Sequence, residues 1–207
     1  MLAPRAGERI LDACTGVGGK ATQIAELSGN GATIIAVDQD SGRLARLAEN
    51  AHRLGAKGIE SRRGDLLDPA ICGEERFDAV LLDAPCSSLG TIPRHPEIKW
   101  AKKASDPKRL AELQLRLLER SAGLLAPGGR IAFSTCSTEP EEGEGVIARF
   151  LKTHPGFRVA RIEDHSSPAG QIGNLEELLT PRGFLRTWPH RHNIGGAFVA
   201  LLTKNPG

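Results

Sequence analysis

The sequence predicts an α/β doubly wound domain with a mostly parallel sheet covered by helices on both faces. Three observations carry this. Short continuous apolar runs alternate with amphipathic helical stretches, which is the pattern of a parallel sheet buried on both sides. Five of those runs end in polar or glycine-rich turns: Gly16, Gly18 and Gly19, then Asp38, then Asp65, then Asp83 to Cys86, then Cys136. Ligands of open α/β sheets bind outside the strand C-terminal ends, so five marked strand ends point to one site. Finally, 207 residues with 40% hydrophobic and 25% charged side chains suffice for one core and argue against disorder.

The elements follow in order. Arg9 to Ala13 reads as a short strand, and Lys20 to Leu27 as a helix. Ala32 to Val37 is a continuous apolar strand. Arg43 to Leu54 is helical, with Leu44, Leu47, Ala48, Ala51 and Leu54 at 3.6-type spacing and Gly55 as its stop. Ile59 to Arg63 is a weak strand and Phe77 to Leu82 a strong one. The next helix is expected to use Asp106 as N-cap and Pro107 at its first position, with a leucine stripe from Leu110 to Leu125. Arg130 to Ser134 is a strand, a helix is expected from about Pro140 to Lys152, and a closing pair of strands covers Gly183 to Thr187 and Gly196 to Thr203.

Composition excludes some classes. No stretch approaches 18 uninterrupted apolar residues, and the first residues lack the basic-then-apolar layout of a signal peptide, so a cytoplasmic protein without membrane contact is expected. The net charge of +2 neither demands nor excludes nucleic acid. Cysteines 14, 72, 86 and 136 form no Cys-x-x-Cys pair, so neither zinc nor a redox motif is indicated. His190 and His192 lack a cysteine or carboxylate to complete a metal site, and no metal is expected.

The first turn reads Asp12-Ala13-Cys14-Thr15-Gly16-Val17-Gly18-Gly19-Lys20-Ala21. Its glycines let a ligand approach the backbone at a helix N-terminus. Gly16-x-Gly18-x-x-Ala21 with Asp38 some 20 residues on also fits a dinucleotide fingerprint, and an acid at the end of strand two bonds ribose hydroxyls in more than one nucleotide-using class. Asp65 is placed either to meet an adenine amino group or to cap a turn before Leu66. Cys86 and Cys136 lie just past the ends of neighbouring strands and are expected to face one pocket. Cys72 reads as a small buried hydrophobe, as does Cys14 where nucleophilicity is concerned.

Residues 83–100, Asp-Ala-Pro-Cys-Ser-Ser-Leu-Gly-Thr-Ile-Pro-Arg-His-Pro-Glu-Ile-Lys-Trp, and 134–142, Ser-Thr-Cys-Ser-Thr-Glu-Pro-Glu-Glu, resemble the signatures of Sun-type (Fmu/RsmB-like) RNA cytosine-C5 methyltransferases. The resemblance spans nearly the whole chain. It implies a seven-stranded Rossmann-like methyltransferase sheet that uses S-adenosylmethionine. Cys14, Thr15, Gly16, Val17, Gly18, Gly19 and Lys20, with Asp38, Arg43, Asp65 and Asp83, would hold that cofactor. Cys136 would be the nucleophile and Cys86 the second thiol that helps product release, with Asp83 placed at cytosine N3. A thiolate at C6 makes C5 reactive toward a methyl sulfonium, so the two thiols have separate tasks. The run Glu139, Glu141, Glu142 and Glu144 is read as a helix start whose acids complement the dipole.

Two substitutions depart from the family pattern: Val17 stands where a proline is usual, and Gly143 where an asparagine follows Pro-Glu-Glu. The first predicts altered cofactor affinity, the second altered support for Cys136. The family also places an RNA-binding region before the first strand, whereas here strand one begins at residue 9. Residues 1–207 are therefore expected to be one catalytic domain from a truncated gene, an excised domain, or a protein that takes RNA contacts from a partner. Between Arg94 and Arg109 six basic residues face two acids, and Arg94, Lys99, Lys102 and Lys103 are the candidate phosphate contacts. The expected RNA is ribosomal, with tRNA second. A nicotinamide oxidoreductase would use the glycine loop and Asp38 but leave both thiol motifs unexplained. A non-catalytic RNA-binding or assembly module is the third reading.

Overall fold

The computed structural model describes residues 2–161 and 175–206. Strand β1 (Arg9–Asp12) leads through the glycine turn into α1 (Gly19–Leu27), β2 (Thr33–Asp38), α2 (Ser41–Leu54) and β3 (Ile59–Arg63). The short helix α3 (Pro69–Cys72) precedes β4 (Phe77–Asp83). A 3-10 turn and α4 (Ile98–Ala101) then lead to the long α5 (Asp106–Leu124) and β5 (Leu125–Thr135). Helix α6 (Glu144–Thr153), β6 (Phe157–Val159), α7 (Leu175–Leu178), β7 (Leu185–Thr187), α8 (Pro189–His192) and β8 (Ala197–Lys204) complete the order.

One mixed sheet runs β3-β2-β1-β4-β5-β8-β6, with β7 also on β8. The first five strands in that order are parallel, and β8 is antiparallel to β5. Among the described residues the sheet has eight strands rather than seven. The additional one, β6, is three residues without a continuous apolar run, and it pairs Phe157 to Val159 with Lys204 to Leu202. The chain winds outward from β1 to β3 and then returns to place β4 on β1's other side. That reversal opens a crevice at the C-terminal ends of β1 and β4.

Burial alternates between the two faces of each strand. Ile10, Ile34 and Ala36 pack with Ala21, Ile24 and Leu47 on one side; Leu11, Ile35 and Val37 lie with Leu117, Leu118 and Phe150 on the other. Gly18 shows why the first turn is glycine-rich: its φ is +83°, and a Cβ there would come within 2.6 Å of Leu47.

Several boundaries differ from expectation. Ser105, not Asp106, is the residue before α5. The Asp106 carboxylate instead accepts from the Lys103 amide at 2.9 Å and from Arg109 at 3.0 Å. The helix expected from Pro140 is broken: Pro140–Glu142 is a 3-10 turn, and α6 starts only at Glu144, after Gly143 at φ −131°, ψ −103°. Asp40 caps α2 through the Gly42 and Arg43 amides, which extends that helix back to Ser41.

Candidate active site

The ends of β1 to β5 converge on a cavity of about 620 Å³. Of the expected cofactor residues, Cys14, Gly16, Asp38, Arg43, Asp65 and Asp83 line it, and Cys86 and Cys136 close it at the β4–β5 end. Thr15, Val17, Gly18, Gly19 and Lys20 do not line it; they shape it from behind. The Thr15 hydroxyl donates to Asp12 at 2.8 Å. The Val17 carbonyl accepts from the Asn50 side chain at 3.0 Å, while the Val17 side chain points to solvent, so the position usually held by proline is tied down from α2. Lys20 Nζ lies 2.5 Å from Asp83 Oδ2, and Ser134 Oγ donates to Asp83 Oδ1 at 2.6 Å. Lys20 thus fixes the carboxylate at the β4 exit.

Asp38 is nearly buried and holds the glycine turn itself. Its oxygens accept from the Gly16 amide and the Asp40 amide, both at 2.9 Å, and Arg43 approaches to 3.7 Å. Two amides leave about half of a carboxylate's four acceptor sites for a ligand. Asp65 accepts from the Leu67 amide at 2.9 Å, which caps the turn before Leu66, and it also lines the cavity. Gly16, at φ +58°, has open space where a Cβ would stand. A cradle with bare backbone on one wall and acids on another suits an elongated adenosyl group, which needs close backbone approach and acceptors for hydroxyls and amines.

One functional candidate was missed in the sequence. Asp12 ends β1 fully buried. One oxygen accepts from Thr15, and the other, Oδ1, has no partner among the described residues. Burial, then the nearby Asp83 and Asp38 charges, raise its pKa to about 7. Sequence offered only an acid at a strand end, which gives no measure of depth.

At the other end of the cavity Cys86 Sγ and Cys136 Sγ stand 3.0 Å apart. The hydrogen bond between them is the largest influence on both thiols: it lowers the pKa of Cys136 and raises that of Cys86. Of the two thiols, Cys136 is the more readily ionised. Ser88 Oγ adds a contact to Cys136 at 3.4 Å, while burial and the Asp83 charge oppose ionisation. Cys14 differs: burial pushes its thiol up to about 12, so it stays protonated. Cys72, the last residue of α3, is buried and is likewise pushed up by burial.

Of the acidic run after Cys136, Glu144 stands in the first turn of α6 as expected, but Glu142 does not serve as a dipole-complementing acid. Glu142 is fully buried, and its carboxylate accepts from the Ser87 amide at 2.7 Å, the Ser137 hydroxyl at 2.6 Å, the Gln114 side chain at 3.1 Å and the Ser87 hydroxyl. Gly143 supplies room rather than a side chain: a Cβ there would meet the Phe198 ring at 2.9 Å. Arg94, Lys99 and Lys103 are exposed and Lys102 is half-buried; none lines the cavity. Beside them Trp100 is 89% exposed. Among the described residues no group of three or more His, Cys, Asp or Glu side chains could hold a metal, and no helix is long and apolar enough to cross a membrane.

A doubly wound sheet with a glycine turn and acids at the ends of its first strands is the fold of the Rossmann-like, S-adenosylmethionine-dependent methyltransferases. Within that class, residues 1–203 match the 16S rRNA methyltransferase RsmB/F family, and the chain belongs to it. Ribosomal RNA small subunit methyltransferase B of Erwinia tasmaniensis is 44% identical over 173 residues, covering 83% of this chain and 40% of that protein. The protein of the same name from Klebsiella pneumoniae is 45% identical over 178 residues, covering 85% and 41%. NSun6 from Pyrococcus horikoshii, solved with SFG, superposes with a TM-score of 0.84 at 28% identity over all of this chain and 50% of that one. The chain thus spans about two fifths of the length of these curated relatives.

Proposed function

We propose that residues 1–207 form one catalytic domain that transfers a methyl group to C5 of a cytosine in RNA. The observation that carries this reading is the facing pair Cys86 and Cys136 at 3.0 Å beside Asp83, at the end of a cradle suited to an adenosyl group. A nicotinamide oxidoreductase has no use for that pair.

S-adenosylmethionine supplies an electrophilic methyl group on a sulfonium. Gly16, Asp38, Arg43 and Asp65 hold the nucleoside part. The Cys136 thiolate adds to cytosine C6, which pushes electron density onto C5. Asp83, positioned by Lys20 and Ser134, carries a proton to N3 and so neutralises the negative charge that develops there. C5 takes the methyl group, its proton passes to solvent, and the electron pair of that C–H bond re-forms the C5–C6 double bond as the Cys136–C6 bond breaks and the thiolate departs, N3 returning its proton to Asp83. Cys86 assists that release by donating a hydrogen bond to the departing sulfur.

Arg94, Lys99, Lys102 and Lys103 flank the thiol end and are read as phosphate contacts, with Trp100 free to stack on an unpaired base. The relatives' names favour small-subunit ribosomal RNA over tRNA. An RNA-binding region or partner beyond these residues would supply sequence choice, and the protein would work in the cytoplasm. The test is methyl incorporation from labelled S-adenosylmethionine into small-subunit rRNA, with bisulfite sequencing to locate the base. Protected cytosine appears with the wild type and disappears with Cys136→Ser. No incorporation into any RNA, with such a partner supplied, overturns the reading.

A further inference from the structure

Cys86 and Cys136 are 50 residues apart in sequence and sit on two different loops, yet their sulfurs approach to 3.0 Å. The strand pairing of β4 with β5 ends at Asp83 and Ser134, three residues before Cys86 and two before Cys136. Something beyond the sheet must fix the two loops against each other. The residue after each cysteine is a serine, Ser87 and Ser137. Both are buried, and both point away from the cavity toward Glu142.

We propose that Glu142 is the positioning residue of the thiol pair, a buried carboxylate that clamps both cysteine loops, and that Gln114 is its support from α5. One oxygen accepts from the Ser87 amide at 2.7 Å and from Gln114 Nε2 at 3.1 Å. The other accepts from the Ser87 and Ser137 hydroxyls, the latter at 2.6 Å. A carboxylate has acceptors only, and here it meets four donors. The two hydroxyls also lie 3.2 Å from each other. Gln114 Nε2 reaches the Pro85 carbonyl at 2.9 Å, so the residue before Cys86 is held as well as the one after. On the other loop Thr135 Oγ1 donates to the Glu142 carbonyl at 3.2 Å, and so the residues on both sides of Cys136 are held. Each cysteine is therefore bracketed by residues tied to the Glu142–Gln114 pair.

The local backbone explains how a glutamate turns inward here. The 3-10 turn ends at Glu142, and Gly143 breaks the chain direction before α6, where the Phe198 ring occupies the space of a Cβ. A carboxylate with no solvent exposure is strongly unfavourable without such a full set of donors, so its presence marks a site where geometry matters. Glu142 touches neither sulfur. Its effect runs through the loops, and it changes the rate of thiol chemistry by setting how often the two sulfurs face each other.

The catalytic consequence rests on the function proposed above, so the experiment separates the two. Wild type, Glu142→Ala, Glu142→Gln and Ser137→Ala are equilibrated with mixtures of reduced and oxidised glutathione. The Cys86–Cys136 disulfide is quantified by peptide mass spectrometry; its formation oxidises the two thiols and reduces one glutathione disulfide to two thiols. The balance point gives the effective concentration of one thiol at the other, which reports proximity without any methylation. Glu142→Ala is expected to lower it at least tenfold, with smaller losses for Glu142→Gln and Ser137→Ala. The same variants should lower kcat for RNA methylation while leaving KM for S-adenosylmethionine unchanged. Should Glu142→Ala fail to fold by circular dichroism, the two milder variants decide. An unchanged effective concentration in folded variants overturns the clamp, whatever the activity. A wild type inactive on RNA overturns the proposed function, and the disulfide balance still judges the clamp.

Discussion

The two ends of the cavity are built by different means. At the β1–β3 end the chain makes the site from its own backbone: Asp38 holds the Gly16 and Asp40 amides, Asp65 holds the Leu67 amide, and Gly16 at positive φ leaves the wall bare. All of these bonds, apart from the Asp38–Gly16 link, span two residues. At the β4–β5 end the site is made by side chains on side chains. Glu142, Gln114, Ser87 and Ser137 form a floor with at most 1% exposure, joining residues 5 to 55 positions apart. The first construction tolerates ligand entry and release at an open surface. The second fixes two reactive atoms and admits little motion. Binding needs acceptors on an accessible wall, whereas covalent chemistry needs two sulfurs at a set distance, and the molecule separates these demands.

This contrast can be broken at the binding end first. Asp38→Ala removes an acceptor for the ribose and also frees the Gly16 amide. Calorimetric affinity for S-adenosylmethionine should fall by about 1–3 kcal/mol. The Cys86–Cys136 disulfide balance should not move, since no bond of the thiol floor involves Asp38. A parallel shift in both would show that the two ends are one unit.

An effect of similar size, on stability rather than binding, is expected from the buried Asp12. Its pKa in the folded protein, about 7, lies above that of an unfolded aspartate, so the native state retains a proton that the unfolded chain gives up. That contribution is fully present below about pH 4 and is lost as pH rises toward 7. In urea unfolding at pH 5 and pH 8, Asp12→Asn should reduce the loss of stability on going to the higher pH, by about 1–3 kcal/mol. An identical pH dependence in the variant would mean that Asp12 is solvated in solution.

The smallest effect sharpens the comparison from outside the cavity. Replacing Lys102 and Lys103 with glutamine should lower the slope of log RNA affinity against log salt by about one or two units, and leave cofactor affinity alone. An unchanged slope makes the 94–109 stretch an ordinary solvated surface.

The same contrast explains what the sequence disclosed. The parallel sheet, the glycine turn, Asp38 and the two thiols were legible because each depends on local pattern: apolar runs, positive-φ glycines, residues just past a strand end. β3 was found at Ile59–Arg63 despite its polar face, since Gly64 and Asp65 follow it. β6 escaped because three residues on a sheet edge carry no periodicity. Glu142 was read as a dipole-complementing acid, because Glu139, Glu141 and Glu144 beside it are acids too, and only tertiary packing distinguishes the one turned inward. The depth of Asp12 and the support of Val17 by Asn50 depend on contacts from other elements, and no single-sequence pattern encodes them. The resemblance places Lys20 among the residues that would hold the cofactor, and its bond to Asp83, 63 residues away, is a tertiary contact that the sequence does not encode.

The most direct test is to trap the covalent step. Wild type, Cys86→Ser, Cys136→Ser and the double variant are each incubated with S-adenosylmethionine and small-subunit rRNA, with an RNA-binding partner supplied, and run on a denaturing gel. The proposed reading gives attack to Cys136 and release to Cys86, and the directions of their pKa shifts agree with it. Cys86→Ser should therefore accumulate an RNA-shifted band that carries methylated cytosine, and neither variant lacking Cys136 should show it. A shifted band in Cys136→Ser and none in Cys86→Ser would contradict the account, because Cys86 would then be the nucleophile.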